Sequence, residues 1–359
     1  MSAPKKPRLD KLATEKVTKT SLVNILQSLY NDGLLNERVT LRHVRKSIQH
    51  HSSITTPYGK LVKPLNLGLT KHRIEYIDPC ALLFYLCSIS TAFGDIIKDS
   101  INKAGGQSLN LVLYNDAVVP GNPFRPEKAR KCEAFYWIIS SLPDFIIRRT
   151  ATWNVITLIR TSIVDTFPGS VSRVTRELLN VFKPLFTGIS LPCGNDQVVL
   201  SCSFAGFLAD LMAHKEILCC TGGAVARRPC WSCVNLAVRH DGNYLDHEIT
   251  LSCADRSKFI CYTDDELWRM IDRMHAIDPS TTTKAKLASL VTDTGFHIQP
   301  SSLLCDVSLR HIYSPTKHHH RDWMHTLVGD WDRKHRGCPP LTSPQGPVRS
   351  IAGHGTAVL

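Results

Sequence analysis

The sequence contains no long apolar run. Its longest uncharged stretch, residues 79–94, is interrupted by Ser88, Ser90 and Thr91 and is shorter than the roughly 20 apolar residues that a membrane-spanning helix needs. The N-terminus is polar and rich in lysine, with no apolar segment, so we expect no secretory signal. These two absences predict a protein without a membrane partner.

Acidic residues are outnumbered by basic ones. The 359-residue chain has 31 Asp and Glu against 43 Lys and Arg, a net charge of +12, which favours an acidic partner such as DNA. A merely soluble basic protein fits the charge as well. Residues 1–20 are predicted to be a disordered basic arm, and their Lys5-Lys6-Pro7-Arg8 cluster is typical of a nuclear localisation patch. Residues 336–359 lose all periodicity and are predicted to be a disordered tail.

The thirteen cysteines do not indicate a disulfide framework, because the chain shows no secretory signal. Six of them lie between positions 219 and 261, and Cys230 and Cys233 form a C-x-x-C pair that can present two thiolates to one Zn²⁺. We predict that further zinc ligands come from Cys219, Cys220 and His214, with Cys253 and Cys261 as alternatives. A redox pair and chance clustering remain the competing interpretations.

The first hundred residues favour helices. Apolar residues at helical spacing predict one helix over residues 22–29 and a second over 40–48, which has a basic outer face. The pair is typical of a helical hairpin, although such a pair could also enter a DNA groove. Residues 56–69 are predicted to be irregular and residues 79–98 to form one buried helix, so residues 21–100 are interpreted as a helical N-terminal region.

Residues 108–126 contain the first candidate for a catalytic site. Leu109, Leu111 and Leu113 alternate with less apolar residues, which predicts a strand that ends near Asp116 and a Pro/Gly-rich turn. Ligands gather at the carboxyl ends of strands in open α/β sheets. The competing interpretation is that Asp116 only initiates the turn.

The elements that follow give the order strand, strand, helix, strand. The two strands are predicted over residues 134–142 and 155–161, the helix over 170–186, and the last strand over 197–207, followed by Asp210 and a helix over 211–219. This order is typical of a ribonuclease-H-like core, which we assign to residues 105–218. Asp116 and Asp210 would then meet on adjacent strands and bind Mg²⁺ or Mn²⁺. Asp210 could instead simply cap the helix that follows it.

Residues 219–335 form a Cys/His-rich insertion. The acidic run that begins at Asp264 is predicted to open a helix that ends near His275, with its acids favoured by the helix dipole. The His318-His319-His320 run is expected to lie on a polar surface loop.

Three motifs in this order resemble eukaryotic DDE/D transposases of the CACTA and Kyakuja-Dileera-Zisupton kind. They are LVLYNDAVVPGNP, FLADLMAHKEILCCTGGAVARRPCWSC and the D-W-M-H motif that begins at Asp322, and together they cover residues 108–325. The resemblance implies that Asp116 and Asp210 are the first two metal-binding acids and that Cys230 and Cys233 bind zinc. The family's third acid, usually a Glu on a later helix, has no convincing match here; Asp322 is the first candidate for the missing ligand.

The predicted fold is therefore α/β: a ribonuclease-H-like mixed sheet with flanking helices, a helical N-terminal region and an inserted zinc-binding segment. The predicted protein is a nuclear, transposase-derived DNA-binding protein that uses Mg²⁺ (or Mn²⁺) and Zn²⁺ and can form a homo-oligomer. With one acid missing, we expect DNA binding without strand cleavage. A non-enzymatic zinc-containing DNA-binding protein and a degenerate transposon remnant without function are the alternatives.

Overall fold

The computed structural model describes residues 50, 53–68, 72–119, 131–149, 152–221, 230–234, 239–240, 243–244, 260–278, 280–297 and 299–321. In these residues the chain folds into thirteen β-strands and eight α-helices around a five-stranded mixed sheet. The predicted α/β class is confirmed. The basic arm, the two helices predicted over 22–29 and 40–48, and the C-terminal tail lie outside the described residues.

The helices and strands have the following bounds. The helices are α1 Pro79–Ile89, α2 Thr91–Lys103, α3 Asp144–Ile147, α4 Thr161–Val164, α5 Ser170–Thr187, α6 Leu211–Ile217, α7 Asp264–His275 and α8 Lys284–Thr294. The strands are β1 Thr55–Thr56, β2 Gly59–Lys60, β3 Val62–Leu65, β4 Ile74–Ile77, β5 Leu109–Val118, β6 Cys132–Ile139, β7 Asn154–Arg160, β8 Ile189–Cys193, β9 Asp196–Leu200, β10 Cys202–Ala209, β11 Arg239–His240, β12 Asn243–Tyr244 and β13 His319–Arg321.

The central sheet has the strand order β7-β6-β5-β10-β13. Strands β5, β6 and β7 form an antiparallel meander, whereas β10 runs parallel to β5 and β13 runs parallel to β10. The chain must therefore cross from one edge of the meander to the other before β10, and α5 lies in that crossover. The carboxyl ends of β5, β10 and β13 consequently lie at one edge of the sheet, which we call the carboxyl edge.

The core lies on the face of the sheet that carries Leu111 and Leu113, the core face. The apolar stripe predicted for α5 is buried against it, and Phe182 of α5 meets Trp137 of β6 edge-on with ring centroids 5.5 Å apart. Leu178 and Phe182 are fully buried. Burial of a large apolar side chain contributes about 1.5–3 kcal/mol, so this helix is a principal support of the sheet.

The N-terminal part of the described chain differs from its prediction. Where an irregular segment is predicted over 56–69, the structure has β1 pairing with β2 and β3 pairing with β4, both antiparallel. The single buried helix predicted over 79–98 is two helices, because the Ser90 backbone is extended and its hydroxyl caps α2 by accepting from the Phe93 amide. No single helix in the described residues is long and apolar enough to cross a membrane, and only the pair α1 and α2, bent by 117°, passes that test by length and composition.

Two boundaries of the predicted core also change. The strand predicted over 197–207 breaks at Ser201: its first half, β9, pairs with β8 in a separate hairpin, and only β10 joins the sheet. The sheet further takes a fifth strand, β13, from the His318–His320 run beyond the predicted boundary of 105–218. The loop prediction for that run is wrong, because His319 and His320 belong to an edge strand; His319 is partly buried and His320 is exposed. The helix predicted to begin at Asp264 is confirmed as α7.

Candidate functional site at the carboxyl edge of the sheet

Asp116 lies near the end of β5, on the face of the sheet opposite the core, which we call the site face. Its direct neighbour on β6 is Ala134, and the next strand places Leu158 beside that alanine. Among the described residues Asp116 has no hydrogen-bond or ion-pair partner, and it is only half-buried.

Asp210 follows β10 directly and continues its extended backbone, with φ −71° and ψ 171°. The last pair between β5 and β10 is Tyr114 with Leu208. Asp116 and Asp210 each follow two residues after this pair on their own strand. If the same register continued, Asp210 would lie opposite Asp116, at about the 4.8 Å that separates neighbouring strands.

Asp210 is also the N-cap of α6. Its Oδ1 accepts a hydrogen bond of 2.6 Å from the Ala213 amide, which satisfies one of the free N–H groups at the start of the helix. The capping interpretation of the sequence is therefore what the structure displays. This hydrogen bond uses Oδ1 of Asp210 only, and within the described part of the chain Oδ2 has no hydrogen-bond partner.

A complete metal site is not present in the described residues. No group of three or more His, Cys, Asp or Glu side chains among them is placed to hold a metal ion. The Asp116–Asp210 pair therefore supplies two ligands and needs water or another acid to complete a coordination shell. Asp322 follows Arg321, the last residue of β13, in sequence, and lies outside the described residues.

Two further carboxylates lie near this edge, and sequence patterns gave no sign of them. Glu133 at the start of β6 is buried, and it accepts a 2.8 Å hydrogen bond from the Thr161 hydroxyl. Burial raises the pKa of the Glu216 carboxyl on α6, and the negative charges of Glu133 and Asp210 raise it further, against a lowering by Lys131. Glu133 and Asp210 thus both lie near enough to Glu216 to act on its carboxyl group.

The C-x-x-C pair lies close to a third cysteine. Cys233 forms an isolated antiparallel bridge with Cys261, and the amide of Tyr262 donates to the Ser232 carbonyl. Hydrogen bonding to Cys230, followed by burial and by Cys261, raises the pKa of the Cys233 thiol well above its usual range. The three thiols therefore meet. Cys253, the other alternative in this region, lies outside the described residues.

Cys219 and Cys220 have a structural role at the end of α6. The Cys219 backbone is left-handed, with φ 53°, and its amide donates to the Glu216 carbonyl, while the Cys220 amide donates to the Lys215 carbonyl. This is the hydrogen-bond pattern that closes helices at a left-handed residue. The Cys219 thiol is hydrogen-bonded to Ser172 of α5. Burial raises the pKa of the Cys220 thiol well above its usual range, and the charge of nearby Cys230 contributes to the rise.

His214 uses both ring nitrogens in hydrogen bonds within the protein. Its Nε2 lies 2.8 Å from the His320 carbonyl oxygen, and its Nδ1 lies 2.8 Å from Nδ1 of His319. It packs against Trp231 of the C-x-x-C segment, with ring centroids 5.6 Å apart. The structure thus brings His214 into contact with His319. Sequence reasoning could have placed His319 beside β10 only by predicting a strand for the histidine run.

Comparisons with known proteins add no relative. A scan against protein-family models finds no match for the chain, and a search of curated proteins finds none either.

Proposed function

We propose that the chain is a transposase-derived DNA-binding protein whose central sheet is a ribonuclease-H-like core. The observation that carries the proposal is the parallel pairing of β5 with β10 up to Tyr114 and Leu208, which lie two residues before Asp116 and Asp210 on their respective strands. Two carboxylates on one face repel each other unless a cation neutralises them. Bound Mg²⁺ or Mn²⁺ would supply the charge stabilisation that cutting or joining DNA strands requires.

The strand order supports the same proposal. The meander of β5, β6 and β7, the crossover through α5 and the return of β10 parallel to β5 are consistent with the predicted order of strands and helices. This arrangement brings the ends of β5 and β10 to one edge, although 94 positions separate Asp116 from Asp210. Glu216, whose pKa is raised by burial and by the charges of Glu133 and Asp210, adds a further carboxyl group near Asp210.

Cationic side chains at the same edge favour an anionic partner. Arg160 is exposed. It pairs with Cys132 of β6, and Cys132 pairs with Val118 of β5, two residues after Asp116, so Arg160 lies on the same face of the sheet as Asp116. Lys131 precedes Cys132 and is partly exposed. Together with the net charge of +12, these residues are suited to hold the phosphate backbone of DNA against the two acids.

Zinc remains part of the proposal through the C-x-x-C segment. Cys230 and Cys233 are the two ligands best supported, since their thiols are in contact, and Cys261 is the third thiol beside them. Thiolate sulfur is a preferred zinc ligand, and bound zinc would hold this segment closed. Because Cys219 and His214 have other partners, we propose that the remaining ligand lies outside the described residues, where Cys253 is available.

The second candidate function is DNA binding without catalysis. Asp210 already caps α6, and the described residues contain no complete metal group, which favours this reading over an active enzyme. We therefore propose binding without cleavage, with Asp322 as the first candidate for the third acid if cleavage occurs. Nuclear localisation and homo-oligomer formation stay predictions.

The test combines a binding and a cleavage assay on the full chain. Duplex DNA should bind with an affinity that falls steeply between about 50 and 200 mM salt, since binding releases counterions from the phosphates. Arg160→Ala should weaken binding and flatten the salt slope by about one unit, whereas Lys103→Ala, an exposed site near the start of β5, should change neither in the same way. Salt-independent binding would contradict the proposed partner.

Nicking of supercoiled DNA in Mg²⁺ or Mn²⁺ measures the catalytic part. We expect none from the wild-type chain. If the wild-type chain nicks DNA and Asp116→Asn does not, the protein is an enzyme, and the proposal of binding without cleavage is wrong. Nicking that persists in Asp116→Asn would point to a contaminating nuclease or another site, and would remove Asp116 from the proposal.

A further inference from the structure

A cavity of about 530 Å³ is bounded by α7, α8 and the residues that follow Cys233 and Cys261. Its volume lies within the range of about 300–1,000 Å³ that is typical of pockets for drug-sized ligands. Most of its described lining is apolar. The apolar side chains are Val234, Tyr262, Met270, Met274, Ile277 and Leu290. This lining suits the apolar part of a small molecule.

The apolar lining can adjust its shape. Met274 is buried and Met270 is half-buried, and the Tyr262 hydroxyl lies 3.8 Å from the Met270 sulfur. Methionine side chains are unbranched and flexible, and their sulfur makes favourable contacts with aromatic rings. On the other side of the cavity, no residue of α8 is buried. This helix can therefore move slightly to admit a ligand without exposing buried apolar surface.

Two arginines distinguish this cavity from a purely apolar one. Arg269 and Arg273 both line it, both are exposed, and they lie one turn apart on the same face of α7. The Arg269 Nε donates to the Asp265 carbonyl oxygen, a bond that does not use the terminal nitrogens of the guanidinium. Among the described residues, the Arg273 side chain has no hydrogen-bond or ion-pair partner. Both guanidinium groups are thus available to a ligand.

Glu266 is the one acidic residue in the described lining of the cavity. Its Oε2 accepts hydrogen bonds of 2.9 Å from both the amide and the hydroxyl of Thr263, in the capping box of α7. The carboxylate is therefore held at the start of the helix and offsets only one of the two arginine charges. Guanidinium groups bind carboxylate and phosphate with paired hydrogen bonds. The remaining positive charge favours a ligand that carries an anionic group.

We propose that this cavity binds a small amphiphilic anion, a molecule with an aromatic or alkyl body and one carboxylate, phosphate or sulfonate group. The body would contact the apolar lining, and the anionic group would lie between Arg269 and Arg273. Ten described residues line the cavity, whereas each side of a stable protein interface supplies roughly 20–30 residues. The size therefore favours a small molecule over a partner protein. The site does not depend on the proposed function, since its described lining includes no residue of the carboxyl edge.

Anilinonaphthalene sulfonate is a suitable probe, because it joins aromatic rings to one sulfonate group. Titrated into the full wild-type chain, it should bind to one saturable site with a rise in its fluorescence. Hydrogen–deuterium exchange with and without the probe should show added protection in peptides that cover α7 and α8, while peptides that cover β5 and β6 are unchanged. Absence of binding, or protection that is spread over the chain or leaves out α7 and α8, would overturn the proposal.

Arginine variants test recognition of the anionic group. Arg269→Gln and Arg273→Gln should each weaken binding of the sulfonate about threefold, and the double variant about tenfold, since exposed charge contacts are individually weak. Lys284→Gln removes an exposed positive charge from α8, outside the described lining, and should leave the affinity unchanged. Phenylnaphthylamine has similar rings and no sulfonate, so it should bind the double variant as well as wild type. Unchanged sulfonate affinity in the double variant, or an equal loss for both probes, would contradict anion recognition.

Leu290→Asp tests the apolar contact. A carboxylate in the apolar lining should weaken both probes at least about tenfold, whereas Leu287→Asp, on the same helix and beside a smaller cavity of about 220 Å³, should weaken neither. Circular dichroism checks that both variants are folded. Full affinity in folded Leu290→Asp would overturn the proposed site. Light scattering covers the remaining occupant: if the sulfonate probe separates a dimer into single chains, the cavity is an interface between two copies and the small-ligand proposal is wrong.

Discussion

Asp210 can be tested for its two roles by two substitutions that differ in a single property. Asp210→Asn keeps a side-chain oxygen that can accept from the Ala213 amide, since Asn and Asp are about equally good N-caps. Asp210→Ala removes the cap and the charge together. If Asp210 is a metal ligand as well as a cap, only the alanine variant should be destabilised without metal, and both should lose metal binding.

The magnitudes follow from the geometry. Loss of the cap should lower the free energy of unfolding by about 1 kcal/mol in Asp210→Ala, and the asparagine variant should stay within about 0.5 kcal/mol of wild type after allowance for the helix dipole. Loss of one of two paired carboxylates should weaken Mn²⁺ binding at least about tenfold, which corresponds to about 1.4 kcal/mol. Asp116→Asn, which is no cap, should lose the metal and keep the stability.

Urea denaturation with and without Mn²⁺ reads both effects in one experiment. A ligand at about 100 times its dissociation constant stabilises the folded state by about 2.7 kcal/mol, so the wild-type midpoint should rise by a measurable amount. Asp210→Asn and Asp116→Asn should lose most of that rise. If Asp210→Asn retains the full Mn²⁺ effect, Asp210 is a helix cap and nothing more, and the carboxyl edge does not hold a cation through this pair.

Three further outcomes are expected from single substitutions. Folding raises the pKa of Glu216, so the ionised carboxylate destabilises the folded state. Glu216→Gln should therefore be more stable than wild type at pH 7. The urea midpoints of the two proteins should converge below about pH 4.5, where a Glu carboxyl is protonated in both states. Gly206→Ala should displace β13 from β10, since the new Cβ would overlap the His320 ring and the His318 carbonyl; unchanged exchange in residues 319–321 would contradict this packing. Leu178→Ala, at the fully buried centre of α5, should lower the free energy of unfolding by about 2–5 kcal/mol, and a loss below 1 kcal/mol would mean that α5 is not a main support of the sheet.

Local patterns in the sequence determined the central elements. The alternation of Leu109, Leu111 and Leu113 fixed β5 and its buried face, since strand side chains point to opposite faces in turn. The helical spacing of apolar residues gave α5, and the acidic run after Thr263 gave α7, where Thr263 and Glu266 form a capping box. Each of these patterns depends on residues a few positions apart, so it can be recognised from the sequence before the tertiary structure is known.

Breaks in regular structure were harder to predict because each depends on a single residue. Ser90 divides α1 from α2, and Ser201 divides β9 from β10. The backbone of Cys219 and Cys220 closes α6, a role that the sequence did not indicate, while their role as zinc ligands stays a prediction. Residue type alone does not distinguish a thiol used as a ligand from a cysteine used for its position.

Tertiary structure decided which distant residues meet. The sequence offered Asp116 and Asp210 as candidates, but only the parallel pairing of β5 with β10, which ends at Tyr114 and Leu208, brings the strand ends that precede them together. The composition of the histidine run gives no sign of a strand; β13 adds to the edge of β10, and the His319 ring there contacts Tyr313 and His214. Hydrogen bonds between residues about a hundred positions apart arise from chain topology, which local periodicity does not encode.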